Sequence, residues 1–213
     1  MRVTDEEYSR DQHSFDLALR MLRHGARLNT VCAWTGFTEE RVRNLSRTHR
    51  RNPSRRDSEM RRGPSPKKLA PLVATGSLRS EVGALAGLCR ILGVIGEARV
   101  QNARKRLPGV TLGERLCAAY ELFQEFVPNA RLTFEQLTFL VFAVTEGDLC
   151  SIAFCTNCRA VILIDHLSLP RRLCTHCEAA QRDQARARAA DGEPASTPEE
   201  PSEPTGFQRR LFE

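Results

Sequence analysis

No apolar run in this 213-residue chain approaches the roughly 18 uncharged positions that a membrane-crossing helix needs. The longest candidates, residues 82–96 and 137–144, are too short, and Arg90 interrupts the first. Residues 1–16 are mostly charged and polar, so no secretory leader is expected. A cytoplasmic location follows as the expectation, and there thiols stay reduced. Phosphate-loop signatures are missing too: neither G-x-G-x-x-G nor a G-K-[ST] ending occurs. Nothing resembling a catalytic nucleophile motif accompanies Asp165-His166, the notable acid–His neighbour pair, so no enzyme is expected. Aromatics are sparse at 6%, and of 32 basic side chains just Lys67, Lys68 and Lys105 are lysine.

What is present is unevenly distributed. The chain carries a formal charge of +6, yet residues 41–68 hold eleven Arg or Lys against Asp57 and Glu59. That stretch alone is worth +9 and leaves the remainder slightly acidic. A GC-rich coding sequence would raise Arg everywhere, but it would not cluster it. Arginine suits bidentate recognition of phosphate and guanine.

Five stretches separate along the chain. Residues 1–49 form an N-terminal helical region. Residues 50–77 form a basic Pro/Ser-rich arm with Pro53, Pro64, Pro66 and Pro71. Residues 78–149 read as a helical core, and 150–180 are dense in cysteine. Residues 181–213 form an acidic, Pro-rich tail with too little apolar content to fold, ending in Phe207, Leu211 and Phe212. In the core, Leu78, Val82, Leu85, Cys89 and Leu92 recur at helical spacing, and Gly83 and Gly87 would admit a close neighbouring helix. A second helix carries Leu112, Leu116, Tyr120 and Phe123 and ends before Pro128. Thr133 and Gln136 have the spacing of a capping box for a third. Six of the ten Phe fall between Phe123 and Phe154, a stripe read as core.

The N-terminal region has a helix-turn-helix pattern. Helices are expected over 17–23, 28–34 and 38–49, with Gly36 supplying a turn residue that tolerates positive φ. Cys32 is small enough for the helix crossing, and Val31, Phe37, Val42 and Leu45 are spaced to close the angle. Thr38 is placed to cap the third helix. Its outward positions are Glu39, Glu40, Arg41, Arg43, Asn44 and Arg47. Arg and Asn read guanine and adenine edges, although two glutamates at the helix start would face phosphates. Tri-helical units of this kind also serve protein contacts alone. The candidate DNA-binding residues are Arg41, Arg43, Asn44 and Arg47 on the helix, and Arg50, Arg51, Arg55 and Arg56 on the arm. A basic arm binding RNA is the competing reading, weakened because residues 41–68 hold no aromatic for base stacking.

The eight cysteines divide by context. Cys32, Cys89 and Cys117 sit in apolar faces as small core residues. Cys155-Thr-Asn-Cys158 and Cys174-Thr-His-Cys177 form two C-x₂-C knuckles with zinc spacing. Two residues between thiolates let both reach one ion at about 2.3 Å, and two knuckles complete a tetrahedron. Val161-Ile-Leu-Ile164 and residues 169–173 are expected to pair as a small hairpin between the knuckles, as in a zinc ribbon. An iron–sulfur cluster is an alternative use of four thiolates. Cys150, His166 and His176 are bystanders, because four thiolates already close the shell.

Taken in order, these features resemble the FlhC family, a subunit of the bacterial flagellar master transcriptional activator. The resemblance runs over roughly residues 15–180. It is carried by Leu17-Ala-Leu, Gly25-Ala-Arg-Leu28, Pro64-Ser-Pro-Lys-Lys-Leu-Ala-Pro71, Leu116-Cys-Ala-Ala-Tyr120, Phe126-Val-Pro128, Leu132-Thr-Phe134 and the four cysteines. Departures include the absence of an aromatic in residues 73–77, where the family usually has Trp and Phe, and the acidic tail. The resemblance implies a mainly α fold with zinc at Cys155, Cys158, Cys174 and Cys177. It further implies assembly of two such chains with four FlhD-like subunits, on double-stranded promoter DNA with RNA polymerase as a further candidate partner. An FlhC-like activator of mobile-element genes is compatible with the same residues. The expected fold class is therefore mainly α, with an N-terminal helix-turn-helix-like unit and a C-terminal, four-cysteine, zinc-ribbon-like β-hairpin.

Overall fold

The computed structural model describes residues 5–50, 65–96, 108–169 and 171–190, with residues 5–8, 10, 49, 50 and 190 described in backbone alone. Eight helices and one two-stranded sheet make up the described chain. In order they are α1 (Asp5–Arg23), α2 (Leu28–Thr35), α3 (Glu39–Arg50), α4 (Ala70–Val73), α5 (Gly76–Ile91), α6 (Val110–Phe126) and α7 (Phe134–Glu146). Strands β1 (Cys150–Phe154) and β2 (Val161–Asp165) and helix α8 (Thr175–Ala190) follow. None of the described helices is long and apolar enough to cross a membrane.

The helix ends obey local chemistry. Gly36 follows α2 at φ 72°, in the left-handed region that glycine enters without Cβ penalty, and its N–H bonds to the Cys32 carbonyl. The Thr38 hydroxyl accepts from the Arg41 N–H at 3.4 Å, so it caps α3. At the start of α7, Thr133 and Gln136 form both halves of a capping box, at 3.3 and 2.9 Å. Thr75 caps α5 through the Leu78 N–H, so the folded body begins inside the stretch read as an arm, with Leu69 and Leu72 buried. Helix α1 is also longer than the apolar spacing of residues 17–23 indicates, because the sequence of its first turns is polar and carries no apolar periodicity.

One core joins α1, α2, α5, α6 and α7. Phe134 is fully buried, with His24 stacked 5.5 Å away and Tyr120 edge-on at 5.4 Å. The Tyr120 hydroxyl donates to the Leu132 carbonyl at 3.1 Å. Trp34 lies edge-on to Phe142. Two carboxylates are buried with partners far away in sequence. Glu81 accepts from the N–H groups of Arg131 and Leu132, and Glu135 accepts from the Arg27 N–H and the Thr30 hydroxyl. On the half-buried flank, Arg20 Nε and His24 Nε2 both meet Glu121 Oε1, at 2.7 and 2.8 Å. The Arg20 hydrogen bond holds the Glu121 carboxyl down at about 2.

Three sequence expectations change here. Among the described residues 169 and 171–173 there is no strand: β2 pairs backward with β1, antiparallel, in the register Cys150↔Asp165 to Phe154↔Val161. The reversal is made by the first knuckle itself, where Arg159 takes φ 63° and the Cys155 N–H bonds to the Ala160 carbonyl. Gly83 and Gly87 admit a strand instead of a helix. A Cβ at Gly83 would lie 2.6 Å from the Val161 carbonyl oxygen. The Phe stripe is mostly core, but Phe126 and Phe154 are exposed.

The glycine contact yields a direct test. Gly83→Ala should destabilise the chain by about 1–3 kcal/mol in urea unfolding, because backbone must shift to admit the methyl. Gly87→Ala meets Val161 Cγ2 at an ordinary 3.6 Å and should be neutral or slightly stabilising.

The chain divides after Glu178 into two units, and residues 179–190 of α8 belong to the second. Helix α8 runs to Ala190, beyond the point where the sequence suggests the chain frays, since its Ala/Arg composition is itself helix-favouring.

Candidate metal centre and candidate nucleic-acid face

The first knuckle occupies the β1–β2 turn, and the second is the entry to α8. Cys174 precedes the helix and Cys177 lies in its first turn, so a helix stands where a ribbon would have a second hairpin. The Thr156 N–H and hydroxyl both bond to the Arg172 carbonyl, at 2.9 and 3.2 Å, which ties the two segments together. As a result the sulfurs of Cys155, Cys158, Cys174 and Cys177 all lie within 4.8 Å of one another. Cys158 and Cys174 are 3.6 Å apart. Thiolates on a tetrahedral ion at 2.3 Å would stand roughly 3.8 Å from each other, so the cluster has the dimensions of one metal site. All four cysteines are free of disulfides.

The donors are also prepared electrostatically. Backbone N–H groups of Cys158, Cys174 and Asn157 pull the Cys155 thiol down to about 6. The Asn157 amide donates to Cys177 Sγ at 3.4 Å, yet burial and the three neighbouring sulfurs hold Cys177 up at about 12. Four thiols this close cannot all ionise unless a cation sits among them. A divalent ion would displace their protons, which makes its binding weaken as pH falls.

The remaining cysteines are separate. Cys89 and Cys117 are buried, and burial pushes both thiols up to about 12. Cys150 is buried in β1 and raised to about 11 by burial. His166 bonds to the Ser151 hydroxyl and the Asp148 carbonyl, and like Cys150 and His176 it stands outside the cluster. Spacing identified the four donors. Asn157 and the left-handed Arg159 were missed, because a C-x₂-C pattern says nothing of the residues between and after.

The second candidate site is the outer face of α3. Helices α1, α2 and α3 pack against one another, with Val31, Phe37 and Val42 buried and Leu45 half-buried. Glu39, Glu40, Arg41, Arg43, Asn44 and Arg47 are all exposed. Arg41 lies over the Phe37 ring at 4.0 Å and meets Asp11 at 3.4 Å. Arg43 pairs with Glu39 at 2.7 Å, and Arg47 donates to the Asn44 side chain at 3.3 Å. These are exposed contacts, each worth roughly 0.3–0.5 kcal/mol, so a phosphate or base edge could take over the cations cheaply. The Arg50 side chain and residues Arg51, Arg55 and Arg56 lie outside the described residues.

No family model matches the chain, and no curated protein is significantly similar to it. The functional reading therefore rests on the residues and the geometry.

Proposed function

We propose that the chain is the DNA-binding, zinc-holding subunit of a transcriptional activator, acting with FlhD-like subunits at flagellar promoters in the bacterial cytoplasm. The observation that carries this reading is the exposed face of α3. A capped helix follows a tight glycine turn in a three-helix unit and presents Arg41, Arg43, Asn44 and Arg47 together. In a helix-turn-helix, such a face enters the major groove, where Arg and Asn read base edges. The arm that follows carries the charge for the backbone. Each phosphate it neutralises adds salt-dependent affinity.

Zinc suits the four thiolates. A closed shell of four sulfurs leaves no position for water or substrate, so the ion would act by holding the knuckles and the start of α8 in place. One helix-turn-helix makes few base contacts, which accounts for the need of further subunits.

Neutralising Arg50, Arg51, Arg55 and Arg56 should weaken duplex binding across all sequences and flatten the dependence of log K on log salt. Fluorescence anisotropy over a salt series reads both, and an unchanged slope would count against the arm. Arg43→Ala and Asn44→Ala should instead cost about 1–3 kcal/mol on the preferred site and relax base choice there. Equal loss on every sequence would remove base reading from α3. The reading as an activator of mobile-element genes shares all of this machinery and differs in promoter. A zinc-stabilised RNA or protein module is the alternative from another class. Competition between promoter duplex, single-stranded RNA and an FlhD-like protein separates them.

A further inference from the structure

Beside the metal centre, whose Cys174 is among the lining residues, an apolar groove of about 510 Å³ opens between α5, the end of α6, β2 and the segment 171–178. Its apolar lining includes Leu88, Val161, Leu163 and Leu173, together with Ile91 and Phe126. These two side chains are 81% and 71% exposed, unlike the other large apolar residues of α5 and α6. Neither DNA contact nor metal binding uses them. Such surface is costly to leave in water and characteristic of a docking site.

Two features narrow the occupant. The first is the backbone. Where the groove meets β2, Gly83 of α5 already stands against the Val161 carbonyl oxygen, too close to admit even a Cβ. A partner strand cannot add to β2 there. An occupant must bring its own backbone hydrogen bonds satisfied, and a helix does so. The second is charge. Arg79 and Arg171 line the groove, and the acid beside them, Glu178, is paired with Arg171 at 3.6 Å. Arg79 donates one Nη to the Val73 carbonyl, while its Nε is buried without a hydrogen-bond partner among the described residues. The rim is thus net positive. It favours carboxylates.

We propose that this groove docks an amphipathic helix of a partner chain, apolar stripe inward, with acidic side chains set against Arg79 and Arg171. The partner is thereby defined chemically, whatever its name. This surface is independent of the nucleic-acid reading, since α3 and the basic residues 41–68 contribute nothing to it.

The test uses the full metal-loaded chain and two labelled synthetic peptides about four helical turns long. Both carry the same leucine stripe, one flanked by Glu and the other by Lys. Anisotropy should show saturable binding of the Glu-flanked peptide and at least about tenfold weaker binding of the Lys-flanked one. Ile91→Glu with Phe126→Ser should abolish binding while circular dichroism and duplex affinity stay unchanged; both residues are exposed, so the fold does not depend on them. Arg79→Glu should reverse the preference between peptides. Absence of binding, equal binding of the two peptides, or binding that survives the Ile91/Phe126 pair would overturn the proposal. So would sedimentation showing that the chain self-associates and that Ile91→Glu dissolves the dimer, which would make a second copy the occupant.

Discussion

Metal analysis of Cys174→Ser, purified under reducing conditions, is expected to return far less zinc than the parent protein, for which one ion per chain is expected. The helices of residues 5–146 should remain. The reason lies in the size of the apolar cluster at the knuckles. Its buried members are Cys155, Ile162 and Cys177, with Ala153, Ile164, Leu173 and Cys174 packed around them. Such a cluster supplies a few kcal/mol at about 25 cal/mol per Å². That is small beside the backbone entropy lost in ordering the segment from Cys155 to Cys177, so a bound structural ion would supply much of what holds the knuckles together. The hairpin has a second anchor, because Ile152, Val161 and Leu163 pack on the main core. Limited proteolysis of the variant should therefore cut within 166–178 and spare β1 and β2. A metal-free parent protein that resists cleavage in the same segment would refute a structural ion.

Phe134→Ala should cost about 3–5 kcal/mol, the upper range for removing a buried aromatic from a core that cannot collapse. Its ring contacts both His24 and Tyr120, and it stands at the first residue of α7, which the Thr133–Gln136 capping box fixes in place. The cavity would sit where α1, α6 and α7 meet. Chemical denaturation should show a lowered midpoint with little change in slope. Phe126→Ala is the control: the ring is mostly exposed, and the loss should stay within about 0.5 kcal/mol.

These contrasts show which parts of the molecule the sequence made readable. The three N-terminal helices could be anticipated because each is announced locally, by apolar periodicity, Gly36 and Thr38. The four sulfurs could be anticipated because C-x₂-C spacing is itself the geometry of chelation. Strand β1 could not. Five residues of mixed character have no periodicity of their own, and the expected partner of β2 was residues 169–173 instead. The tight turn at Arg159 folds β2 back on β1. The roles of Glu81 and Glu135 were equally hidden, since a buried carboxylate is legible only when the distant N–H groups it serves are known. Phe126 and Phe123 look alike along the helix. What separates a core ring from a surface ring is the element opposite, and helical spacing does not report that.

The lone tryptophan gives the molecule a natural optical reporter. Trp34 is buried in α2 beside Phe142, so its emission should be blue-shifted in the native state and move to the red when α1–α3 separate. No other indole contributes to that signal. Losing the metal should leave the emission maximum in place while far-ultraviolet dichroism changes, whereas Phe134→Ala should lower the temperature of both transitions. Emission from one residue, read beside the dichroism, can thus tell a failure of the knuckles from a failure of the helical body.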